Sequence, residues 1–151
     1  MAEAEEIQRF EIRVAWDGDN TGAGEVAVSE GSFSIPIAGA RSLGGSGGRA
    51  NPEELLLAAI GACFVNTWAI FLKKLAIAYA EPTLRVSGEL GKDPEGGYRM
   101  QRAVIHARVP AALLSGSRAP IQKTLQLAEK YCIISKVARA AMPVEVVIEE
   151  V

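Results

Sequence analysis

The sequence predicts an α+β fold, and three observations carry that reading. Short alternating apolar–polar runs fill the chain ahead of residue 40, the segment from Leu55 to Leu72 has no charged side chain, and two longer alternating runs follow it, separated by Asp93-Pro94-Glu95-Gly96-Gly97. Strands gathered on either side of a long helix, rather than alternating strictly with helices, mark an α+β arrangement. At 151 residues, without internal repeat or low-complexity tract, the chain is expected to be a single domain, 1–151.

The elements follow in order. Phe10-Glu11-Ile12-Arg13-Val14-Ala15-Trp16 alternates with period two and reads as a half-buried strand. Asp17 to Gly22 is a turn by its glycines and Asx residues. Glu25 to Ser29 and Ser32 to Ile37 read as two short strands joined at Glu30-Gly31. Leu43-Gly44-Gly45-Ser46-Gly47-Gly48 reads as a flexible loop. No Gly-Lys-Ser/Thr follows it, so it lacks the lysine of a phosphate-cradling loop.

Asn51-Pro52-Glu53-Glu54 opens the long helix. Asn51 suits the N-cap, Pro52 the first helical position and Glu54 the reciprocal arm of a capping box. Both glutamates favour the positive end of the helix dipole. The helix is expected to reach about Ala78, ahead of Pro82. Its uncharged run reads as a helix buried all round in a protein core, since one short span with acidic flanking sequence matches a membrane segment poorly.

Pro82 to Gly91 and Tyr98 to Val109 read as strands of a hairpin. A second helix is expected over Pro120 to Tyr131, with Ile121, Leu125 and Ala128 on one face, and a short one over Ile134 to Ala141. Pro143 to Glu149 closes the chain as a strand.

Composition removes several function classes. The apolar fraction is 49%, the charged fraction 23% and the formal net charge -2, with no basic cluster to neutralise phosphates. Neither a nucleic-acid nor a membrane partner is expected. The start Met1-Ala2-Glu3-Ala4-Glu5-Glu6 is acidic, unlike an export signal, so a cytoplasmic location is expected. With only two cysteines, a bond between them there would be transient and catalytic rather than structural.

The cysteine contexts are informative. Cys63 closes the run Asn51-Pro52-Glu53-Glu54-Leu55-Leu56-Leu57-Ala58-Ala59-Ile60-Gly61-Ala62-Cys63-Phe64, and Cys132 opens Cys132-Ile133-Ile134-Ser135. Together these stretches resemble the OsmC/Ohr family, which places an Asn-Pro-Glu run ten residues ahead of Ala-Cys-Phe and a second cysteine late in the chain in a Cys-x-x-Ser setting. Trp16-Asp17-Gly18 also resembles the family's Trp-Glu-Gly strand end. The likeness spans about Phe10 to Glu149, and the joint match of two separated motifs is specific.

The resemblance implies an OsmC-like fold, with antiparallel sheets wrapped around a long buried central helix in an intertwined homodimer. It implies a thiol peroxidase in oxidative-stress defence, acting on organic hydroperoxides, with hydrogen peroxide a second candidate substrate. By the same analogy Cys63 is the peroxidatic thiol and Cys132 the partner that closes a disulfide on its sulfenic acid. External thiols, a dithiol or a lipoylated protein, would reset the pair. No cofactor is implied. Two departures stand out. Ile133 occupies the position where the family commonly has proline, and the first turn, Asp19-Asn20-Thr21, lacks the arginine of the Ohr branch. Arg41 is the nearest match to the arginine that the OsmC branch places ahead of Asn-Pro-Glu, so the chain looks closer to OsmC-like proteins.

Peroxide chemistry needs Cys63 as thiolate, against a free pKa of about 8.5. Cys63 lies about three turns inside its own helix, beyond reach of that helix's dipole. A neighbouring cation is therefore expected, with Arg41 the candidate and Arg49 the fallback. A planar guanidinium can face both thiolate and peroxide oxygen. Glu53 is the natural residue to hold it. Ten helical residues rise about 15 Å, so Glu53 and Cys63 can share a site only if Glu53 comes from another subunit. Antiparallel packing of two such helices about a twofold axis would achieve this, with Ala58, Ala59, Gly61 and Ala62 allowing close approach.

His106, the single histidine, falls on a strand face with Val104 and Arg108. Cys63, Cys132 and His106 would supply only three zinc ligands without motif spacing, so no metal is expected. Gly45-Ser46-Gly47 lacks the strand-to-helix context of a hydrolase elbow. Phe64, Trp68 and Phe71 read as core, with Phe64 a candidate lining for a peroxide pocket. A non-enzymatic protein of the same fold, sensing redox state or binding an apolar ligand, is the alternative, and turnover separates the two.

Overall fold

The computed structural model describes residues 6–151. It divides into two compact units, one ending at Leu55 and the other Leu56–Val151. In the first, β1 (Ile12–Asp17), β2 (Ala23–Val28) and β3 (Phe33–Ala38) form an antiparallel sheet in that order. Asp19 organises the first turn: its carboxylate accepts from the backbone and hydroxyl of Thr21, each at 2.8 Å. All six residues of β1 are exposed, with Ile12 at 53%, Val14 at 57% and Trp16 at 45%. The half-burial expected from its alternation is therefore absent. The pattern is present, but among the described residues of the first unit no second sheet covers that face.

The glycine-rich stretch is a built turn, not the flexible loop its composition implies. A 3-10 turn over Arg41–Leu43 is closed by Gly44 N–H to Arg41 C=O at 3.1 Å and Gly45 N–H to Ala40 C=O at 2.9 Å. Gly47 N–H then bonds to Gly39 C=O at 3.0 Å, and the Ser46 hydroxyl to Gly22 C=O at 3.1 Å.

The second unit holds β4 (Thr83–Lys92), β5 (Tyr98–Val109) and β6 (Val144–Glu150) in the order β4-β5-β6. The β4–β5 hairpin turns through Asp93 and Gly97, whose N–H and C=O meet at 2.9 Å. Here one expectation fails: β6 runs parallel to β5, from Ala103 beside Val144 to Val109 beside Glu150, so this sheet is mixed rather than antiparallel. The cause is the connection. Two helices, α2 (Ala111–Tyr131) and α3 (Ile133–Arg139), separate β5 from β6 and supply the long crossover a parallel pair requires. Helix α2 begins well before Pro120, with non-helical backbone at Ser117 (φ -139°, ψ 22°).

Helix α1 (Pro52–Lys74) starts with the expected box. Asn51 Oδ1 accepts from Glu54 N–H at 2.8 Å, and a Glu54 carboxylate oxygen accepts from Asn51 N–H at 3.2 Å. It stops short of Ala78, because Ala76 turns to φ 54° and Ile77 N–H bonds back to Leu72 C=O at 2.9 Å. The helix is long and apolar enough to cross a membrane. In the single chain it is not buried all round. Ile60, Phe64, Trp68 and Leu72 are buried at one-turn intervals, while Ala58, Ala59, Ala62, Asn66, Ala69 and Ile70 are exposed. The buried stripe packs with Ala103, Ile105, Ala107 and Val109 of β5 and with Ile121, Leu125 and Ala128 of α2.

Candidate functional site

The core of the second unit brings the two cysteines together. Cys63 is half-buried on α1, beside the fully buried Phe64. Phe64 is thus core. Cys132 is completely buried where α2 ends and α3 begins, because its extended backbone (φ -65°, ψ 113°) breaks the helical path there. Its N–H still closes α2 on Ala128 C=O at 2.8 Å, and its C=O opens α3 through Lys136 N–H at 3.2 Å. Both thiols are free.

Their environments push them apart. Burial raises the Cys63 thiol, but hydrogen bonds from Ile134 N–H, the Cys132 thiol, Ile133 N–H and the Thr67 hydroxyl outweigh it and hold Cys63 below the ordinary thiol value. Burial also raises Cys132, and the neighbouring Cys63, by hydrogen bonding and by charge, adds to that against the lowering by Ser135. The two shifts make Cys63 the more readily ionised of the pair.

The groups that lower Cys63 are neutral, where the sequence reading looked to a guanidinium. They come from another helix's first turn and from one turn further along α1. The Thr67 hydroxyl donates to the Cys63 carbonyl at 2.8 Å, so its single proton is shared between that oxygen and the thiol. Ser135, completely buried, donates its hydroxyl to Cys132 Sγ at 3.0 Å. Sequence reasoning passed over Thr67, and it quoted Ser135 only as part of the Cys-x-x-Ser motif, without a role. Residue i+4 from one cysteine and i+3 from the other was the available signal.

Beside this pair is an apolar cavity of about 460 Å³, lined by Leu56, Met100, Ile134, Val137 and Met142, with Arg99 its one charged wall. Ile134 belongs both to the cavity and to the donors facing Cys63. His106 is engaged elsewhere. Its Nδ1 lies 3.1 Å from the Arg85 guanidinium, which can only donate, so Nδ1 accepts and Nε2–H donates to the Ser87 hydroxyl at 3.1 Å. Among the described residues, no three His, Cys, Asp or Glu side chains gather to hold a metal ion.

The remaining candidates lie in the first unit. Arg41 is exposed on the 3-10 turn, and its side chain lies so close over Gly47 that a Cβ there would collide with it. Gly47 holds φ 64°, which also favours glycine. Arg49 is committed to Gly24 C=O at 3.3 Å. Glu53, in the first turn of α1, has a buried Oε2 with no hydrogen-bond partner among the described residues. Within the one chain Arg41 and Glu53 are not an ion pair among the described residues.

The chain is similar to known proteins. The OsmC-like protein family matches residues 45–147. The organic hydroperoxide resistance protein-like 2 of Staphylococcus epidermidis is 28% identical over 124 residues, covering 81% of this chain and 84% of the relative. An OsmC-like protein from Mycoplasma pneumoniae superposes with a TM-score of 0.78 at 16% identity, over 95% of this chain and 98% of that one. An organic hydroperoxide resistance protein from Elizabethkingia anophelis, solved with thiocyanate bound, superposes with a TM-score of 0.77 at 21% identity, over 98% of this chain and 100% of that one.

Proposed function

Because the chain belongs to the OsmC-like family, we propose that it is a thiol-dependent peroxidase, reducing organic hydroperoxides through Cys63 and Cys132. The observation that carries this reading is the pair of adjacent free thiols shifted in opposite directions, Cys63 down and Cys132 up. The Cys63 thiolate attacks the outer peroxide oxygen. The O–O bond breaks, the alkoxide leaves and takes a proton as the alcohol, and Cys63 becomes a sulfenic acid. Cys132 sulfur then attacks Cys63 sulfur, the S–O bond breaks and water leaves with the Cys132 proton. Two external thiol groups, from a dithiol or lipoyl protein, reduce the resulting disulfide by exchange. The apolar cavity beside Ile134 suits the hydrocarbon part of an organic hydroperoxide.

The site we propose is completed in a homodimer, in which Arg41 faces the thiolate and the incoming peroxide while Glu53 of the partner subunit holds that guanidinium. The buried Glu53 Oε2, without a hydrogen-bond partner among the described residues, supports a cationic neighbour. The exposed small residues of α1 support close packing against a second copy. The whole chain acts as one domain in this reading, in the cytoplasm, without nucleic acid or membrane.

Consumption of cumene hydroperoxide with dithiothreitol tests it. The native chain is expected to turn over and Cys63→Ser to fall to the buffer rate. Equal rates in the two would remove the peroxidase and leave a redox-sensing or ligand-binding protein.

A further inference from the structure

We propose that Ser135 is a positioning residue for disulfide closure: its hydroxyl, donating to Cys132 Sγ, holds that sulfur aimed at Cys63 and stabilises it as the attacking thiolate. The inference rests on the peroxidase reading above. Its basis is the environment of one hydroxyl. Ser135 and Thr124 are the buried polar side chains among the described residues. Thr124 has ordinary partners, the Trp68 indole at 2.9 Å and Ile121 C=O at 2.7 Å. Ser135 Oγ instead bonds a sulfur, at 3.0 Å, with both groups completely buried.

A buried hydroxyl is costly unless well paired, and a neutral thiol sulfur is a weak acceptor. An ionised acceptor roughly doubles the strength of such a bond. The Ser135 bond therefore does little for resting Cys132 and much more for the Cys132 thiolate. That differential falls on one step. Cys63 sulfenic acid and the Cys132 thiol give the disulfide and water: the new S–S bond uses the Cys132 thiolate pair, the S–O bond breaks, and hydroxide leaves with the Cys132 proton.

The test mixes reduced protein with one equivalent of cumene hydroperoxide, without reductant, at a series of pH values. Mass spectrometry follows the Cys63–Cys132 disulfide and dimedone-trapped Cys63. Alanine is the best helix former and fits the space of serine, so Ser135→Ala is expected to fold. At neutral pH it should close the disulfide about threefold more slowly than the native chain, with more dimedone adduct, because thiolate population drops more than nucleophilicity rises. At alkaline pH, with Cys132 ionised in both, it should close at least as fast, because its less stabilised thiolate is the stronger nucleophile. Ser135→Thr, which keeps the hydroxyl, should follow the native profile. Native-like closure by Ser135→Ala at neutral pH, equal slowing at every pH, or a Ser135→Thr profile matching Ser135→Ala would overturn the proposal. A native chain that forms neither adduct nor disulfide overturns the peroxidase reading itself.

Discussion

At the scale of single residues, the Cys63 thiol is lowered against its burial by hydrogen bonds from groups without charge. A lowered thiol is ionised at pH values where a free one is protonated. Its reaction with iodoacetamide should therefore persist below the ordinary thiol range and fall only as pH drops through the lowered value. Thr67→Val removes one donor, so the midpoint of that profile should move up, with alkylation at neutral pH slowed by about threefold, while Thr67→Ser should leave it in place. An unmoved midpoint in Thr67→Val would mean the hydroxyl serves the Cys63 carbonyl alone. Arg41 gives a second residue-scale prediction. Its side chain needs the space above Gly47, so Gly47→Ala should displace the guanidinium, lower peroxide turnover several-fold and slow alkylation of Cys63 at neutral pH. Native turnover in Gly47→Ala would remove Arg41 from the reaction. The cysteines and the Asn51 cap were legible in sequence because each sits in a motif with fixed local spacing. Ser135 was quoted in one of those motifs, but its bond to Cys132 Sγ was not legible, nor were the amides of Ile133 and Ile134 facing Cys63. Their role depends on α3 meeting α1, a contact between residues roughly seventy positions apart that local spacing does not encode.

At the scale of elements, α1 is held by its cap and by its buried stripe. Asn51→Ala removes the acceptor of the Glu54 N–H bond at 2.8 Å and should cost about 1 kcal/mol in denaturant unfolding. Phe64→Ala empties a completely buried site and should cost about 3–5 kcal/mol. The reverse ranking would contradict a helix anchored through its Ile60-Phe64-Trp68-Leu72 face. The start of this helix was readable because Asn, Pro and Glu satisfy orphan amides locally. Its end was not, since it depends on Ala76 adopting positive φ, a conformation alanine rarely takes. The first half of α2 was missed because Pro120 reads as the start of the helix, whereas it lies inside it. The helix accommodates that proline with irregular backbone at Ser117. The parallel pairing of β6 followed from the length of the α2–α3 crossover, a feature of topology rather than of the strand's own residues.

At the scale of the whole molecule, the single chain leaves apolar surfaces uncovered among the described residues, and two of them bear on assembly. One is the α1 face carrying Ala58, Ala62, Ala69 and Ile70, and the other holds Ile12, Val14 and Trp16 of β1. Soluble monomers seldom leave large apolar surfaces open, and the alternation in β1 makes sense only if something covers it. A second copy is the occupant we propose. Native protein should therefore sediment as a dimer at micromolar concentration, with a melting temperature that rises with protein concentration. Ala62→Arg, which puts a long charged side chain on the small-residue face, should give monomer. Peroxide turnover should fall with the dimer, even though Cys63 and Cys132 remain neighbours inside each chain, because Glu53 of the partner subunit would no longer reach the guanidinium. Activity measured alongside sedimentation separates two possibilities that binding data alone confuse. A monomeric Ala62→Arg that turns over at the native rate would show that one chain holds the complete catalytic set, and the unpaired Glu53 oxygen would then need a partner other than a second subunit.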